Sequence, residues 1–246
     1  MNRELMSLLA HTHHPIAAPL SDRAVHGLLE RGLPRGDERV LDLGCGGGEW
    51  LLRCLGMHEG VHAHGVDISE PALDRARSAA DRLAVADRLS LHHGPAGEYA
   101  SADPFDLVLS VGAAHAFGGL LPTLEAAGKH LAPGGHILIG DGYWQQTPSA
   151  EAVETLGDFA DLAATLDDVT AAGWTPVFGH ISSREELDAY EWSWTGSLAA
   201  WALDHPEDPA AADALAASAL HRREWLGVYR ESWGFLTLLL RANPPR

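Results

Sequence analysis

Short, mainly apolar runs alternate with longer amphipathic stretches through the first 140 residues of the chain. The runs have the length of buried strands and lie at 40–43, 61–66, 89–92, 105–110 and 136–140. Between them, the stretches at 49–55, 71–86 and 120–131 carry apolar residues at helical spacing. Because parallel neighbours must be joined by a crossover, this rhythm predicts a doubly wound α/β sheet.

The two ends of the chain depart from that rhythm. A polar arm leads into a short helix, which Ser21 is expected to cap and Gly32 to end. After Asp141 the pattern predicts helices at 150–162, 166–172, 185–203 and 210–229, and strands at 174–182 and 235–240. The last strand is placed beside 177–181, with the two long helices inserted between the two strands.

These elements add up to a Rossmann-like, seven-stranded α/β fold with a helical cap inserted near the C-terminus. We expect three parts within one compact unit. They are an N-terminal arm and helix (1–35), a core that binds a cofactor (36–142), and helical cap insertions plus closing antiparallel strands (143–246).

Four glycines within five residues follow the first strand, in the segment Val40-Leu-Asp-Leu-Gly-Cys-Gly-Gly-Gly48. Such a loop lets the backbone approach a ligand at a helix N-terminus. The dinucleotide pattern G-x-G-x-x-G would need glycine where Glu49 stands, and the Gly-Lys-Ser/Thr of a P-loop is absent. Asp42 and Glu49 suit a cationic ligand, and Asp67, 19 residues after Gly48, stands where a carboxylate binds ribose hydroxyls.

In sequence order, these motifs resemble class I S-adenosylmethionine-dependent methyltransferases. Asp42–Gly48 is similar to the first motif, Gly65-Val-Asp-Ile-Ser69 to the second, Phe105–Ser110 to the fourth strand, and Leu131-Ala-Pro-Gly-Gly135 to the turn before the fifth. The resemblance implies S-adenosylmethionine as cofactor, with S-adenosylhomocysteine as product. The binding residues it implies are Asp42, Gly44, Cys45, Gly46, Gly48, Asp67, Ile68, Ala96 and Ser110.

One position departs from the family pattern. The usual Gly-Asp-Ala after the third strand, whose aspartate binds the adenine amine, is Gly94-Pro95-Ala96 here. Glu98 or a backbone carbonyl is left to accept that hydrogen bond.

The loop after the fourth strand and the cap supply candidates for the substrate side. His115 stands at the sheet edge where ligands bind, either as a general base or as a partly buried, hydrogen-bonded loop histidine. Tyr143 is a second catalytic candidate. Tyr143, Trp144, Tyr190 and Trp194, together with His115, are expected to bind the substrate, although helical aromatic spacing is also typical of a core.

A longer resemblance links the chain to bacterial small-molecule methyltransferases. It rests on His14-Pro15, Pro19-Leu-Ser21, Ala116–Gly119, Asp141–Trp144 and Tyr190-Glu191. In that subfamily the position of His115 is more often tryptophan and that of Asp141 more often glutamate, so His115 marks either a change of substrate or an added base.

Charge and composition reduce the number of possible binding partners. The formal net charge of −17 weighs against nucleic acid and anionic membrane partners. No apolar run is long enough to span a bilayer, no signal peptide is recognised, and the two cysteines show no metal spacing. We therefore expect a reduced, cytoplasmic protein with no metal site. Apolar cap residues suit either a pocket or a homodimer interface.

The sequence thus predicts methyl transfer to an oxygen, nitrogen or carbon atom of a small molecule, in a biosynthetic pathway of natural-product or secondary metabolism. The alternatives are an enzyme of this fold that binds S-adenosylmethionine without methylating, and a catalytically silent binding protein. The intact Asp42, glycine loop and Asp67 argue against a cofactor-free binder.

Overall fold

The computed structural model describes residues 3–244. Its helices are α1 (Arg3–Ala10), α2 (Asp22–Gly32), α3 (Glu49–Met57), α4 (Glu70–Arg82), α5 (Leu120–Gly128), α6 (Ala150–Leu156), α7 (Leu162–Ala171), α8 (Arg184–Asp204) and α9 (Ala211–Glu224). Its strands are β1 (Arg39–Leu43), β2 (His62–Asp67), β3 (Leu89–His93), β4 (Phe105–Val111), β5 (Leu131–Trp144), β6 (Trp174–Ile181) and β7 (Trp233–Ala242). A π turn, Trp225–Tyr229, follows α9.

The strands of the described chain form one mixed sheet in the order β3-β2-β1-β4-β5-β7-β6. The pairs β1–β2, β1–β4, β2–β3 and β4–β5 are parallel, whereas β6 and β7 are antiparallel. The chain moves outward from β1 through β2 and β3 and then returns to the other side of β1, which makes the β1–β4 boundary a switch point. Ligands bind at the carboxyl ends of strands beside such a point. The predicted Rossmann-like, seven-stranded fold is confirmed, as is the closing antiparallel pair.

Serine side chains cap several helices. The Ser21 hydroxyl accepts a hydrogen bond from the Ala24 amide, as the sequence predicts. On α8, Ser183 and Glu186 form a reciprocal capping box, which satisfies two backbone donors at once. Each such cap is worth about 1 kcal/mol. No helix in residues 3–244 is long and apolar enough to cross a membrane.

Several predicted elements are wrong in type or extent. The N-terminal arm forms α1, which lies against α8. Residues 1 and 2 lie outside the described residues. The helix expected at 150–162 ends at Leu156, because Gly157 adopts φ 102°, and a new helix begins at Leu162. The helix expected at 120–131 ends at Gly128, because β5 already begins at Leu131.

The chain divides into two compact units. The sheet unit comprises Ser21–Asp141, Leu166–Ile181 and Leu236–Arg246, and its core is built by apolar side chains of β1, β4 and β5. The helical unit comprises Met1–Leu20, Gly142–Thr165 and Ser182–Phe235. Its core includes Trp144, Ala152, Trp225 and Tyr229.

Candidate active site

The glycine loop of the sheet unit connects β1 to α3 through three positive φ angles. Gly44, Gly46 and Gly48 have φ of 89°, 50° and 73°. A Cβ atom on Gly44 would lie 2.6 Å from the Cβ of Ala113, and one on Gly48 would lie 2.9 Å from that of Ala76. A Cβ on Gly46 would meet no described atom within 4 Å. Two glycines therefore allow the loop to pack, and the third faces open space in which a ligand can approach the backbone.

Asp67, at the carboxyl end of β2, is held against this loop. Its Oδ2 accepts a hydrogen bond of 2.7 Å from the Gly46 amide, and its Oδ1 accepts one of 2.9 Å from the Ser69 amide. Each carboxylate oxygen has a second lone pair, so both remain able to accept ligand hydroxyl groups. The two backbone bonds thus orient a carboxylate at the position predicted to bind ribose.

Asp42 is a buried carboxyl near the end of β1. Its exposure is 2%, and within residues 3–244 its side chain has no hydrogen-bond partner. Burial and, secondarily, the charge of Asp67 raise the pKa of Asp42 to about 8. A cationic group placed beside it would stabilise the ionised form, whereas a phosphate would be repelled. The donor set therefore fits the cationic methionine end of S-adenosylmethionine. Glu49, the second predicted anion, is instead paired with Arg53 at 2.9 Å.

The remaining cofactor candidates differ in exposure. Ile68, next to Asp67, is 71% exposed, so its side chain is free to lie against a ligand. Ala96 is buried at the start of a short 3₁₀ turn that also carries the exposed Glu98. The Ser110 hydroxyl is buried and donates to the Leu43 carbonyl at 3.1 Å. That bond ties β4 to β1 at the switch point.

Cys45 packs inside the loop. A Cβ atom on Gly65 would lie 2.7 Å from its Sγ atom, so the thiol fills the space beneath the loop. Burial, with the charges of Asp42 and Asp67, raises the pKa of the Cys45 thiol, which keeps it protonated. No group of three or more His, Cys, Asp or Glu side chains in the described residues can hold a metal ion.

His115 lies after β4 on a 3₁₀ turn, Ala114–Ala116, in a loop where Gly112, Gly118 and Gly119 all have positive φ. Its side chain is exposed and makes no hydrogen bond to any described residue. The structure therefore does not show the alternative of a partly buried, hydrogen-bonded loop histidine. The role of His115 as a base stays a prediction.

The other predicted substrate residues belong to the helical unit. Tyr143 is 4% exposed and lies where Gly234 leaves room, because a Cβ there would stand 2.6 Å from its ring. Trp144 is a core residue whose indole N–H has no described partner. The Tyr190 hydroxyl lies 3.1 Å from Nε2 of His11, and Trp194 stacks on His221 at 4.0 Å. Their part in substrate binding stays a prediction.

The sequence interpretation missed one polar group in this unit. Glu191 is 5% exposed and is hydrogen-bonded to His221 and Tyr229. The signal was present, because Glu191 falls in the buried helical series of Leu187, Thr195 and Leu198 on α8, where an apolar residue is expected.

Substitution of Gly46 tests whether the loop faces a ligand. We expect Gly46→Ala to fold with a loss of about 1 kcal/mol, the cost of a positive φ for alanine, and to bind S-adenosylmethionine at least about tenfold more weakly, since its methyl group enters the open space. Gly44→Ala is the matched control for packing. It should lose stability through its clash with Ala113, as measured by urea unfolding beside calorimetric titration. Unchanged affinity in Gly46→Ala would contradict this use of the loop.

Comparison with known proteins identifies the family to which a chain with this site belongs. Residues 34–190 match the family model described as a methyltransferase domain. A SAM-dependent methyltransferase from Geobacter sulfurreducens, in complex with S-adenosyl-L-homocysteine, is structurally similar with a TM-score of 0.89 at 28% identity, over 99% of each chain. The Escherichia coli protein YjhP is 29% identical over 243 residues, covering 95% of this chain and 97% of YjhP.

A third relative, 27-O-demethylrifamycin SV methyltransferase of Amycolatopsis mediterranei, is 30% identical over 172 residues. That match covers 65% of this chain and 61% of the relative. The family model spans well over half of the chain, and it agrees with the sheet order, the glycine loop and the two aspartates. The chain therefore belongs to the methyltransferase-domain family, as a class I S-adenosylmethionine-dependent methyltransferase.

Proposed function

We infer that this enzyme methylates a hydroxyl group of a small molecule from natural-product or secondary metabolism. The observation that carries the inference is the concentration of aromatic side chains in the helical unit, which holds six of the eight tryptophans. Pockets for small organic molecules are lined mainly by apolar and aromatic side chains with a few polar groups. The unit combines both, since Trp194 stacks on His221, which is hydrogen-bonded to Glu191.

Two further facts support a small acceptor. The relative from Amycolatopsis mediterranei is a 27-O-demethylrifamycin SV methyltransferase, and an O-demethyl acceptor points to transfer to oxygen. The net charge of −17 disfavours a polyanionic acceptor such as RNA or DNA. Nitrogen and carbon acceptors remain outcomes of the test below.

The chain's own residues have a limited task in such a reaction. When bound, S-adenosylmethionine supplies an electrophilic methyl group on a sulfonium. Asp42 and Asp67 hold that molecule, and the glycine loop lets it approach the backbone. Tyr143, Trp144, Tyr190 and Trp194 are proposed to bind the acceptor. His115 is the sequence-predicted base. Orientation of nucleophile and methyl carbon accounts for most of the acceleration in a displacement of this kind.

The proposal is tested with methyl-labelled S-adenosylmethionine and a panel of small phenols, alcohols, amines and acidic carbon compounds. We expect labelled product with hydroxylated aromatic compounds, identified by mass spectrometry as the O-methyl derivative. Asp67→Ala should give none, and exposed Asp74→Ala should behave as wild type. Label recovered only in amines or carbon acids would reject the hydroxyl assignment, and label recovered only in added RNA or protein would reject the small-molecule assignment.

A further inference from the structure

Helices α8 and α9 of the helical unit leave an apolar face open to solvent. The two helices pack against each other, and the Ser218 hydroxyl donates a hydrogen bond of 2.8 Å to the Thr195 carbonyl. Exposed and half-buried residues spaced three and four apart on their open side are here called the hairpin face: Ala189, Trp192, Gly196, Ala199 and Leu203 of α8, and Ala212, Leu215, Ala219 and Leu226 of α9 and the π turn. Trp192, Leu203 and Leu226 are 54%, 68% and 50% exposed.

The α8 and α9 residues of the hairpin face form one surface. Residues at this spacing lie on a single side of each helix. The Trp192 ring lies 5.2 Å from the ring of Trp225 in the π turn, so the two lines of residues meet at that end. At the other end, Ala202, which precedes Leu203, packs in one cluster with Ala211. The face therefore runs along the whole helix pair.

This surface lacks the charges that a solvent-facing helix normally carries. Between residues 190 and 203 the one charged residue is Glu191, which is buried. Between residues 211 and 220 the one charged residue is Asp213. A helix that is apolar on all sides is typical of a buried position, and a contiguous apolar patch on a protein surface marks an interaction site. The hairpin face thus has the composition of a contact surface.

The spacing of the hairpin face fits another pair of helices. Along α8, the steps from Ala189 to Leu203 alternate between three and four residues, which is the spacing of side chains that interlock between helices. The steps from Ala212 to Ala219 on α9 follow the same alternation. Gly196 and Ala219 stand at the middle of their lines, where small side chains let two helices approach closely.

A second copy of this chain matches the face in shape. A two-fold axis that lies in the contact and crosses α8 at Gly196 sets the two α8 helices antiparallel. Residues then meet at equal distances from the axis, in opposite directions along the chain. Trp192 falls opposite Ala200 of the second copy, and Leu203 falls opposite its Ala189. Large side chains therefore face small ones on both sides of the axis, as close packing requires.

The charges at the two ends of the helix pair are complementary under the same symmetry. The end of α8 and its connection to α9 carry no Lys or Arg but three acidic residues, Asp204, Glu207 and Asp208. The last turn of α9 carries Arg222 and Arg223. The two-fold axis sets the arginine end of one copy against the acidic end of the other. This pairing opposes the repulsion between two chains that each have a net charge of −17.

The hairpin face is large enough for a weak dimer. From the rise per residue and the usual distance between packed helices, two helices of this length present a surface of about 20 by 20 Å. Two copies together would bury on the order of 1,000 Å², which is near the lower limit for a specific interface between proteins.

We propose that the hairpin face is the contact between two copies of this chain, which pack as an antiparallel four-helix bundle in a two-fold homodimer. The contact lies entirely within the helical unit. It does not depend on the identity of the methyl acceptor, so it stands or falls separately from the proposed function.

Sedimentation velocity over about 1–100 µM protein tests the proposal, since an interface of this size is expected to dissociate in that range. We expect the wild type to shift from monomer to dimer as its concentration rises. Leu203→Glu should raise the dissociation constant at least about tenfold, because it would bury an unpaired carboxylate. Leu83→Glu is the matched control and should associate as the wild type does, since Leu83 is 59% exposed and belongs to the sheet unit.

The two-fold arrangement is tested by Gly196→Leu. A Cβ atom on Gly196 would meet no described atom within 4 Å, so the monomer has room for the larger side chain. The variant adds apolar area, yet it should weaken the dimer at least about tenfold, because it holds the two α8 helices apart. Gly56→Leu on α3, where a Cβ atom likewise meets no described atom within 4 Å, should associate as the wild type does.

A wild type that stays monomeric at every concentration in this range would overturn the proposal. A dimer that both Leu203→Glu and Gly196→Leu leave intact would also overturn it, because the contact would then lie elsewhere. Should either variant fail to fold, hydrogen–deuterium exchange of the wild type decides. Peptides covering 189–203 and 211–226 should exchange more slowly at high than at low protein concentration, and equal rates would contradict the proposal.

Discussion

Asp42→Asn will make the cofactor-free protein more stable at neutral and mildly alkaline pH. The pKa of Asp42 is about 8 in the folded protein, against an ordinary value of 3.8. Between those two values the folded state binds a proton that the unfolded state has released, so wild-type stability must fall as pH rises through this window. Over the full window the free energy of unfolding of the wild type falls by on the order of 5 kcal/mol. The asparagine variant lacks this pH dependence of stability.

The same substitution will weaken cofactor binding. A cationic ligand favours ionised Asp42, so cofactor binding to the wild type should strengthen by up to about tenfold for each unit that the pH rises toward the pKa of about 8. Urea unfolding and calorimetric titration at several pH values measure both effects on the same samples. A variant that keeps the wild-type pH slope in stability, or that binds as tightly as wild type, would show that the buried carboxyl of Asp42 has neither role.

Asp67→Ala will lose cofactor affinity by at least about 100-fold, because two hydrogen bonds to a charged group are worth roughly 3 kcal/mol or more together. It will also release the amide groups of Gly46 and Ser69, which the carboxylate now holds at 2.7 and 2.9 Å. We therefore expect faster hydrogen exchange in the loop even without ligand.

The control for this prediction is Asp74→Ala. Asp74 is an exposed carboxylate on α4 that pairs with Arg77 at 2.7 Å. Calorimetric titration with S-adenosylhomocysteine should give wild-type affinity for Asp74→Ala and no measurable heat for Asp67→Ala. Equal loss in both variants would mean that surface charge rather than a defined contact accounts for the effect.

The sequence predicted the sheet unit well because its signals are local. Glycines that must adopt positive φ, an acidic residue at a strand end and apolar runs of strand length all lie within short stretches between 40 and 140. The doubly wound sheet then follows from the rule that parallel neighbours need crossovers. The burial and raised pKa of Asp42 were not predictable, since they depend on the neighbouring strands and on Asp67.

The helical unit was predicted less well because its contacts join segments far apart in the chain. α1 packs against α8, and His221 is hydrogen-bonded to Glu191, which lies 30 residues earlier in the chain. No local sequence pattern predicts either contact. Gly157 ended α6 where helical spacing continued to 162. Aromatic spacing likewise did not distinguish the core position of Trp144 from the stacked position of Trp194 on His221.

The central claim is that S-adenosylmethionine binds at the glycine loop and Asp67, and hydrogen–deuterium exchange measured by mass spectrometry tests it most directly. Addition of S-adenosylhomocysteine should slow exchange in peptides covering residues 43–50 and 66–70, and leave those covering 174–181 unchanged. Unchanged exchange at both loop peptides, under conditions where calorimetry reports binding, would place the cofactor elsewhere and contradict the account.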